Sequence, residues 1–411
     1  MIKELSIFEF DEFAKKHPLR SYHQTSSYAI LMSKHGYNYN LIGYIDEYNN
    51  LVAASVILLK KIKNHYLYGY APKGFLLDFY NPDLLKKFTK AIAEYYYKKK
   101  VVFIKINPEI AIGEAIKDNN YKVLYNQNVK IVDSLTTYGY KQLKPNYAFE
   151  TLIPRFNAIV NLSELNINSV SKTTRGKIKK SERQGLYLEK ANIDKMDIFY
   201  KFIKNKKDRK INYYKDYYNA FDKFSEAELL LLKVNYKNFL VSTQEKYEEE
   251  LEINNFCNQT LQSSKKKSVL NSKMESDKKL HSLKEDILLA TNKIKSTQEE
   301  YLGGALIIKH DNRIYFVRTG FNDKYTNINS NHFMYYKIME LYKNEYKFAD
   351  LNGVTGLFND KNDKYYGLNQ FKLSFNPKIF EFIGEFDLII DSRSYSRLEK
   401  RNLLSKEFTK Q

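Results

Sequence analysis

The chain has 411 residues, 43% hydrophobic and 28% charged, and its 67 Lys and Arg against 48 Asp and Glu give a formal charge of +19. This composition excludes global disorder and collagen-like repetition and fits two or three globular units. A single cysteine, Cys257, excludes an intrachain disulfide and any zinc site built from cysteines.

The excess of positive charge argues for an anionic partner: nucleic acid, phosphate or an anionic membrane surface. The longest near-continuous apolar run, residues 51–59, falls short of the roughly 20 residues a membrane span needs. The N-terminal stretch MIKELSIFEFDEF is amphipathic and acidic, unlike a secretory signal. The expectation is a basic, cytosolic protein.

Residues 1–150 alternate short apolar runs with helical patterns, as an α/β or α+β layer does. LIGYIDEYNNLVAASVILLKKI predicts a hairpin turning at Asn49-Asn50. HYLYGYAPKGFLL predicts a strand broken by Pro72 and Gly74. After Asn81-Pro82, apolar residues at spacings of three and four predict a helix, and VVFIKINP predicts a buried strand. SVSKTTRGKIKKSERQG predicts a helix opened by Ser and closed by Gly185, with a second helix over KMDIFYKFIKNKKDRK.

No Pro or Gly occurs between Asn235 and Leu302. Leu280, Leu283, Ile287, Ala290 and Ile294 repeat at 3-4-3-4, with a weaker seam at Tyr236, Leu240, Thr243, Tyr247 and Leu251. The spacing predicts an antiparallel coiled-coil arm over 236–300. GGALIIKHDNRIYFVRTG predicts a hairpin, NHFMYYKIMELYKN a helix and KFADLNGVTG a strand. The organisation expected is a unit at 1–150, a second unit from 151–235 plus 301–390 interrupted by the arm, and a helical tail at 391–411.

No phosphate-binding loop, dinucleotide-binding glycine pattern, zinc-protease helix or nucleophile elbow is present, and no metal or cofactor is expected. The strongest signal is local charge: residues 170–215 hold 15 basic and 5 acidic side chains, a net of +10. Lys172, Arg175, Lys177, Lys179, Lys180 and Arg183 crowd the first helix, and Lys204, Lys206, Lys207, Arg209 and Lys210 form a second cluster. Repulsion at that density is relieved by a polyanion; a solvated face without a partner is the plainer alternative. Lys372 lies between Phe371 and Leu373 in what the pattern predicts as a strand, where alternation puts it on the solvated face.

The block QFKLSFNPKIFEFIGEFDL resembles the C-terminal signature of the FemABX/MurM family of tRNA-dependent aminoacyltransferases. Six further blocks resemble that family in order: YHQTSSYAILMSKHGY, YAPKGFLLDF, VFIKINPEI, SVSKTTRGKIKKSERQGL, DRKINYYKDYYNAF and ADLNGVTGLF. The resemblance implies two N-acetyltransferase-like (GNAT) subdomains with an inserted helical arm. It implies transfer of Gly, Ala or Ser from aminoacyl-tRNA to the diamino acid of a lipid-linked or nucleotide-linked peptidoglycan precursor. An ester already activated needs no ATP, only positioning and oxyanion stabilisation.

Carried over residue by residue, the resemblance places the acyl-ester lysine at Lys372 beside Phe371, and the precursor-phosphate arginine at Arg209 with Tyr213. The tRNA falls to Lys172, Arg175, Lys177, Lys179, Lys180 and Arg183. Departures are Met32 at a phosphate-binding lysine, with Lys34 two residues on; Asn107 at an aspartate, with Glu109 nearby; and Phe316 and Arg318 at two site tyrosines. These departures keep two alternatives open: another acceptor, protein or small molecule, and an RNA-binding member without catalysis. A lipid-linked acceptor would bring the basic protein to the inner membrane face.

Overall fold

The structure, a computed structural model, describes residues 1–404 apart from 64, 146, 149–151, 205–208, 264–265, 323–327 and 329. It is a mixed α/β protein with two sheets. The smaller sheet runs, in spatial order, β1 (Ile2–Glu4), β2 (Asn38–Ile45), β3 (Leu51–Ile62), β4 (Tyr66–Ala71), β5 (Val101–Ile106), β16 (Phe386–Ile389) and β8 (Tyr140–Gln142). The larger runs β10 (Leu186–Ala191), β11 (Ala227–Asn235), β12 (Glu299–His310), β13 (Arg313–Phe321), β14 (Phe348–Val354), β9 (Phe156–Asn161), β15 (Lys378–Phe382), β6 (Ala111–Lys117) and β7 (Tyr121–Tyr125).

Both expected hairpins form. The β2–β3 turn has Asn49 at φ 65° and the β12–β13 turn has Asp311 at φ 55°, a conformation these short polar residues tolerate. Helices α1 (Ile7–Lys16), α2 (Ser26–Ser33), α3 (Pro82–Lys98) and α4 (Lys130–Thr137) accompany the strands of the smaller sheet. α1 opens on a capping box, Ser6 with Glu9, and α3 on Asn81 followed by Pro82. α3 buries Leu85, Phe88, Ile92 and Tyr96, the i, i+3, i+4 stripe its sequence spells.

Around the larger sheet lie α5 (Lys172–Arg183), α6 (Met196–Lys201), α7 (Ile211–Asp222), α10 (Ser330–Tyr342) and α11 (Tyr366–Leu373), with α12 (Ser392–Lys400) at the tail. The basic helix α5 is capped by Ser171 and followed by Gly185 at φ +70°. A Cβ at Gly185 would lie 2.5 Å from the Asn235 carbonyl oxygen, so this stop needs glycine.

The inserted segment is a pair of 28-residue helices, α8 (Tyr236–Ser263) and α9 (Lys267–Ile294), each about 42 Å long. They run antiparallel, with Asn254 donating to Ser276 and Asp277. Their seam is more polar than expected: Glu250, Asn254, Ser276 and Asp286 are buried with Leu283 and Ala290, while Tyr247 and Leu251 are only half-buried. At the root, Asp286 pairs with Lys180 (3.6 Å) and Arg183 (3.2 Å) of α5.

The chain passes between the sheets more than once. Residues 107–110 carry it from β5 to β6, so residues 111–125, inside the first expected unit, pair into the larger sheet. Residues 383–385 carry it back from β15 to β16. The two crossings bond to each other, Ile383 N to Ile110 O at 2.9 Å. A division at residue 150 therefore does not follow the sheets. Local pattern identifies a strand and leaves its partner open.

All six residues of β5 are buried, including Lys105, whose ammonium lies 2.8 Å from Asp387 and 3.7 Å from Glu385. Removing one member of such a buried cluster leaves the others uncompensated. Lys105→Ala is expected to lower stability by about 3–5 kcal/mol, read as a reduced unfolding free energy in urea. A loss under about 1 kcal/mol would show that water reaches the cluster.

Candidate active site between the two sheets

The crossing at 107–110 places two polar side chains at the joint. Asn107 is buried; its Oδ1 accepts from the backbone N–H of Lys73 (2.8 Å) and its Nδ2 donates to the Tyr70 hydroxyl (3.2 Å). An amide used in this way braces the loop after β4 and is too weakly basic to take a proton. Two residues on, the Glu109 carboxylate lies 2.8 Å from an Arg313 amino nitrogen and 3.8 Å from the Lys73 ammonium. Burial pushes the Glu109 pKa up, but Lys73 and Arg313 together outweigh it and hold the group below its ordinary value, ionised.

The charges continue into the larger sheet. Arg313, at the start of β13, lies 3.8 Å from Asp350 of β14. Asp350 accepts from the Asn157 side chain (3.1 Å) and from the Asn352 backbone (2.7 Å). Burial raises its pKa despite Arg313. Beyond Asp350 comes Lys372.

Here the structure differs from the strand expected at 371–373. Residues 366–373 form helix α11, because Asn369 and Lys372, three apart, both turn inward onto β14 and its exit. Asn369 accepts from Thr355 N (3.0 Å) and donates to Thr355 Oγ1 (2.8 Å). Lys372 is 6% exposed, not solvated, and its ammonium donates to the Gly353 carbonyl at 2.5 Å. Burial lowers its pKa to about 8, against the opposing pull of Asp350. Five charges of alternating sign thus join the sheets: Lys73, Glu109, Arg313, Asp350 and Lys372.

Cavities flank this chain. One of about 140 Å³ is lined by Lys73, Glu109, Tyr315, Asp350 and Asn352. It shares His23, Leu152, Ile153 and Val317 with a second, of about 240 Å³, lined by Met32, Arg209, Tyr213, Tyr217 and Arg318. Arg209 lies over the Tyr213 ring, 4.5 Å from its centroid. Lys34 lines neither: it is half-exposed and pairs with Asp216 at 3.0 Å, leaving Met32 to face the cavity.

A third cavity, of about 580 Å³, opens between α5, α10 and α11, lined by Ser171, Lys177, Asn331, His332, Gln370 and Phe371. Phe371 packs edge-on against His332 and Tyr335, each at 4.9 Å. Burial and the neighbouring Lys177 lower the His332 pKa to about 4, so its ring is neutral at pH 7. Phe371 and Lys372 are consecutive, yet the first lines this cavity and the second turns to Gly353.

Of the cations expected on α5, Lys172 and Lys179 are exposed, and Lys177 reaches the cavity, 3.4 Å from His332. Arg175 donates to the Asn168 carbonyl at 3.4 Å. Lys180 and Arg183 are engaged by Asp286 and secure the helix pair. Lys206 and Lys207 lie outside the described residues. Phe316 stacks on Tyr335 at 4.5 Å in the core. Lys73, Arg313 and Asp350 escaped the sequence reading. Two of them sat in plain view within YAPKGFLLDF and ADLNGVTGLF; Arg313 had only its place after a turn.

The fold is that of FemX: the solved structure of FemX superposes with a TM-score of 0.75 at 22% identity, covering 97% of this chain and 100% of that one. The FemAB family model matches residues 5–400, and the chain belongs to the FemAB family. Among its relatives is a lipid II:glycine glycyltransferase of Staphylococcus epidermidis, 26% identical over 406 residues, 95% of this chain and 93% of that protein. Another, of Staphylococcus aureus, bears the same name and is 26% identical over 408 residues, again 95% and 93%.

The influence of Asp350 on Lys372 makes a direct prediction. By carbon-13 lysine NMR, assigned by difference against Lys372→Met, Lys372 is expected to titrate near pH 8 and to move lower in Asp350→Asn, which removes the charge favouring the ammonium. A midpoint in the ordinary lysine range would contradict the burial described above.

Proposed function

We propose that this chain transfers an amino acid from aminoacyl-tRNA to the side-chain amine of the diamino acid in a peptidoglycan precursor, forming an interpeptide bridge. The names of its relatives favour glycine over alanine or serine and a lipid-linked over a nucleotide-linked acceptor. The observation that carries the reading is Lys372: a desolvated ammonium on α11, the helix whose Gln370 and Phe371 line the 580 Å³ cavity, held in the field of Asp350 from the charged crevice between the sheets.

The amine nitrogen attacks the ester carbonyl, a C–N bond forms and the C–O bond to the ribose breaks. The proton lost from nitrogen ends on the ribose hydroxyl. Negative charge develops on the carbonyl oxygen, and a fixed ammonium in a dry site stabilises it far better than one in water. Lys372 supplies that charge, and a pKa near 8 leaves it mostly protonated at pH 7. Phe371 shapes the acyl pocket.

Lys172, Arg175, Lys177 and Lys179 face the RNA, with phosphate contacts that weaken as salt rises. The acceptor end of the RNA enters the 580 Å³ cavity, where Asn331 and Gln370 offer amides to a base edge. Lys180 and Arg183 act one step back, holding the base of the helix pair against α5. Arg209 over Tyr213 takes precursor phosphate; Lys34, paired with Asp216, is a further cation beside that cavity. Among the described residues no helix is long and apolar enough to cross a membrane, and contact with a lipid-linked acceptor at the inner face rests on surface charge.

Lys372→Met is expected to lower kcat for glycyl transfer by about 10²–10³ with the fold intact by circular dichroism, as loss of one oxyanion donor does elsewhere. In the wild type, kcat is expected to fall above about pH 8 as the ammonium is lost, and Lys372→Arg is expected to move that limb upward. Full activity in Lys372→Met would remove the lysine from the mechanism.

A further inference from the structure

The two joined cavities of the crevice differ in charge. The smaller holds Glu109 and Asp350 against Lys73. The larger carries Arg209 and Arg318, and its described lining includes no carboxylate. Arg318 reaches that cavity through an irregularity of the sheet. In the β12–β13 pairing, Ile307 is opposite Phe316 but Leu306 is opposite Arg318, which leaves Val317 as an extra residue. Strict alternation would turn Phe316 and Arg318 to one face, that of α10, where Phe316 stacks on Tyr335.

The bulge breaks that alternation. Arg318 falls on the face of Leu306, whose cluster contains Tyr22, Tyr214 and Tyr217 of the crevice. Thr319 then returns to the α10 side, its Oγ1 3.1 Å from the Tyr335 hydroxyl. One inserted residue therefore aims a guanidinium at the cavity that Arg209 enters from the segment before α7, with the uncharged Met32 on the α2 wall.

We propose that Arg209 and Arg318 clamp the diphosphate of the acceptor between them, while its ammonium is drawn to the Glu109 and Asp350 end of the same crevice. The assignment of Arg318 rests on the precursor-transfer reading and deepens it. Two planar forks match the oxygens of a diphosphate in paired hydrogen bonds, one fork to each phosphate. The opposite charges of the two ends fix which way round the acceptor lies.

The test measures binding to the full-length protein of three probes. These are a nucleotide-linked muropeptide, a lipid-linked one with a shortened chain, and the same muropeptide ending without phosphate. Arg318→Met is expected to lose about tenfold or more in affinity for both diphosphate probes and none for the phosphate-free one. Met32→Lys added to that variant is expected to recover most of the loss, because it returns a cation to the same cavity.

The tighter diphosphate probe identifies the natural source. An equal loss on all three probes, no loss on the diphosphate pair, or a loss on one of that pair alone would overturn the clamp. Transfer is assayed in parallel with glycyl-tRNA. Binding as expected without transfer would fail the transferase reading and leave the clamp standing; transfer with Arg318→Met unchanged on every probe would fail the clamp alone.

Discussion

Everything at the joint depends on one constraint: a charge buried between two sheets must find an opposite charge there. The crossing at 107–110 drives Glu109 into that interior, and the fold answers with Lys73 from the smaller sheet and Arg313 from the larger. Arg313 then requires Asp350, whose negative charge in turn favours the Lys372 ammonium. Leaving any of these alone would cost several kcal/mol, so the alternating chain holds the sheets in one relative position. The return crossing repeats the solution with Lys105, Glu385 and Asp387.

The proposed function grows from the same constraint. The Lys372 pKa is lowered toward 8 because the group is buried, and the charge of Asp350 opposes that fall and favours the cation. Helix α11 presents Phe371 to the 580 Å³ cavity and turns Lys372 inward to the Gly353 carbonyl, and in the proposed transfer that ammonium is the charge the ester meets. Rigid placement of this kind supplies what an already activated ester needs, proximity and a preorganised positive charge.

Much of the fold was legible in the sequence where local chemistry decides it. The Asn49 and Asp311 turns, the Asn81-Pro82 start of α3, the Ser171 and Gly185 ends of α5 and the dense apolar run of β5 were all readable from neighbours in the chain. The residues 371–373 were not, because three residues cannot separate a period of 2 from one of 3.6. Asn369 and Lys372 facing inward together would have given the helix away. The joint itself was illegible: Glu109 and Arg313 are 204 residues apart, and no local pattern announces a partner at that range. The seam of α8 and α9 misled in the other direction, since Glu250 and Asn254 are buried while Tyr247 and Leu251, expected on the seam, are only half-buried. Of the candidate site, Lys372, Phe371, Arg209 and Tyr213 were reached through resemblance alone, and the bulge that turns Arg318 into the crevice had no sequence mark.

The central claim is that a precursor amine and an aminoacyl-tRNA react across α11. The most direct measurement incubates the protein with a pool of radiolabelled aminoacyl-tRNAs and, separately, lipid-linked precursor, nucleotide-linked precursor and no precursor. The account predicts label on a precursor that is abolished by prior RNase treatment of the pool, with glycine as the amino acid. Bound tRNA with no label on either precursor would contradict it.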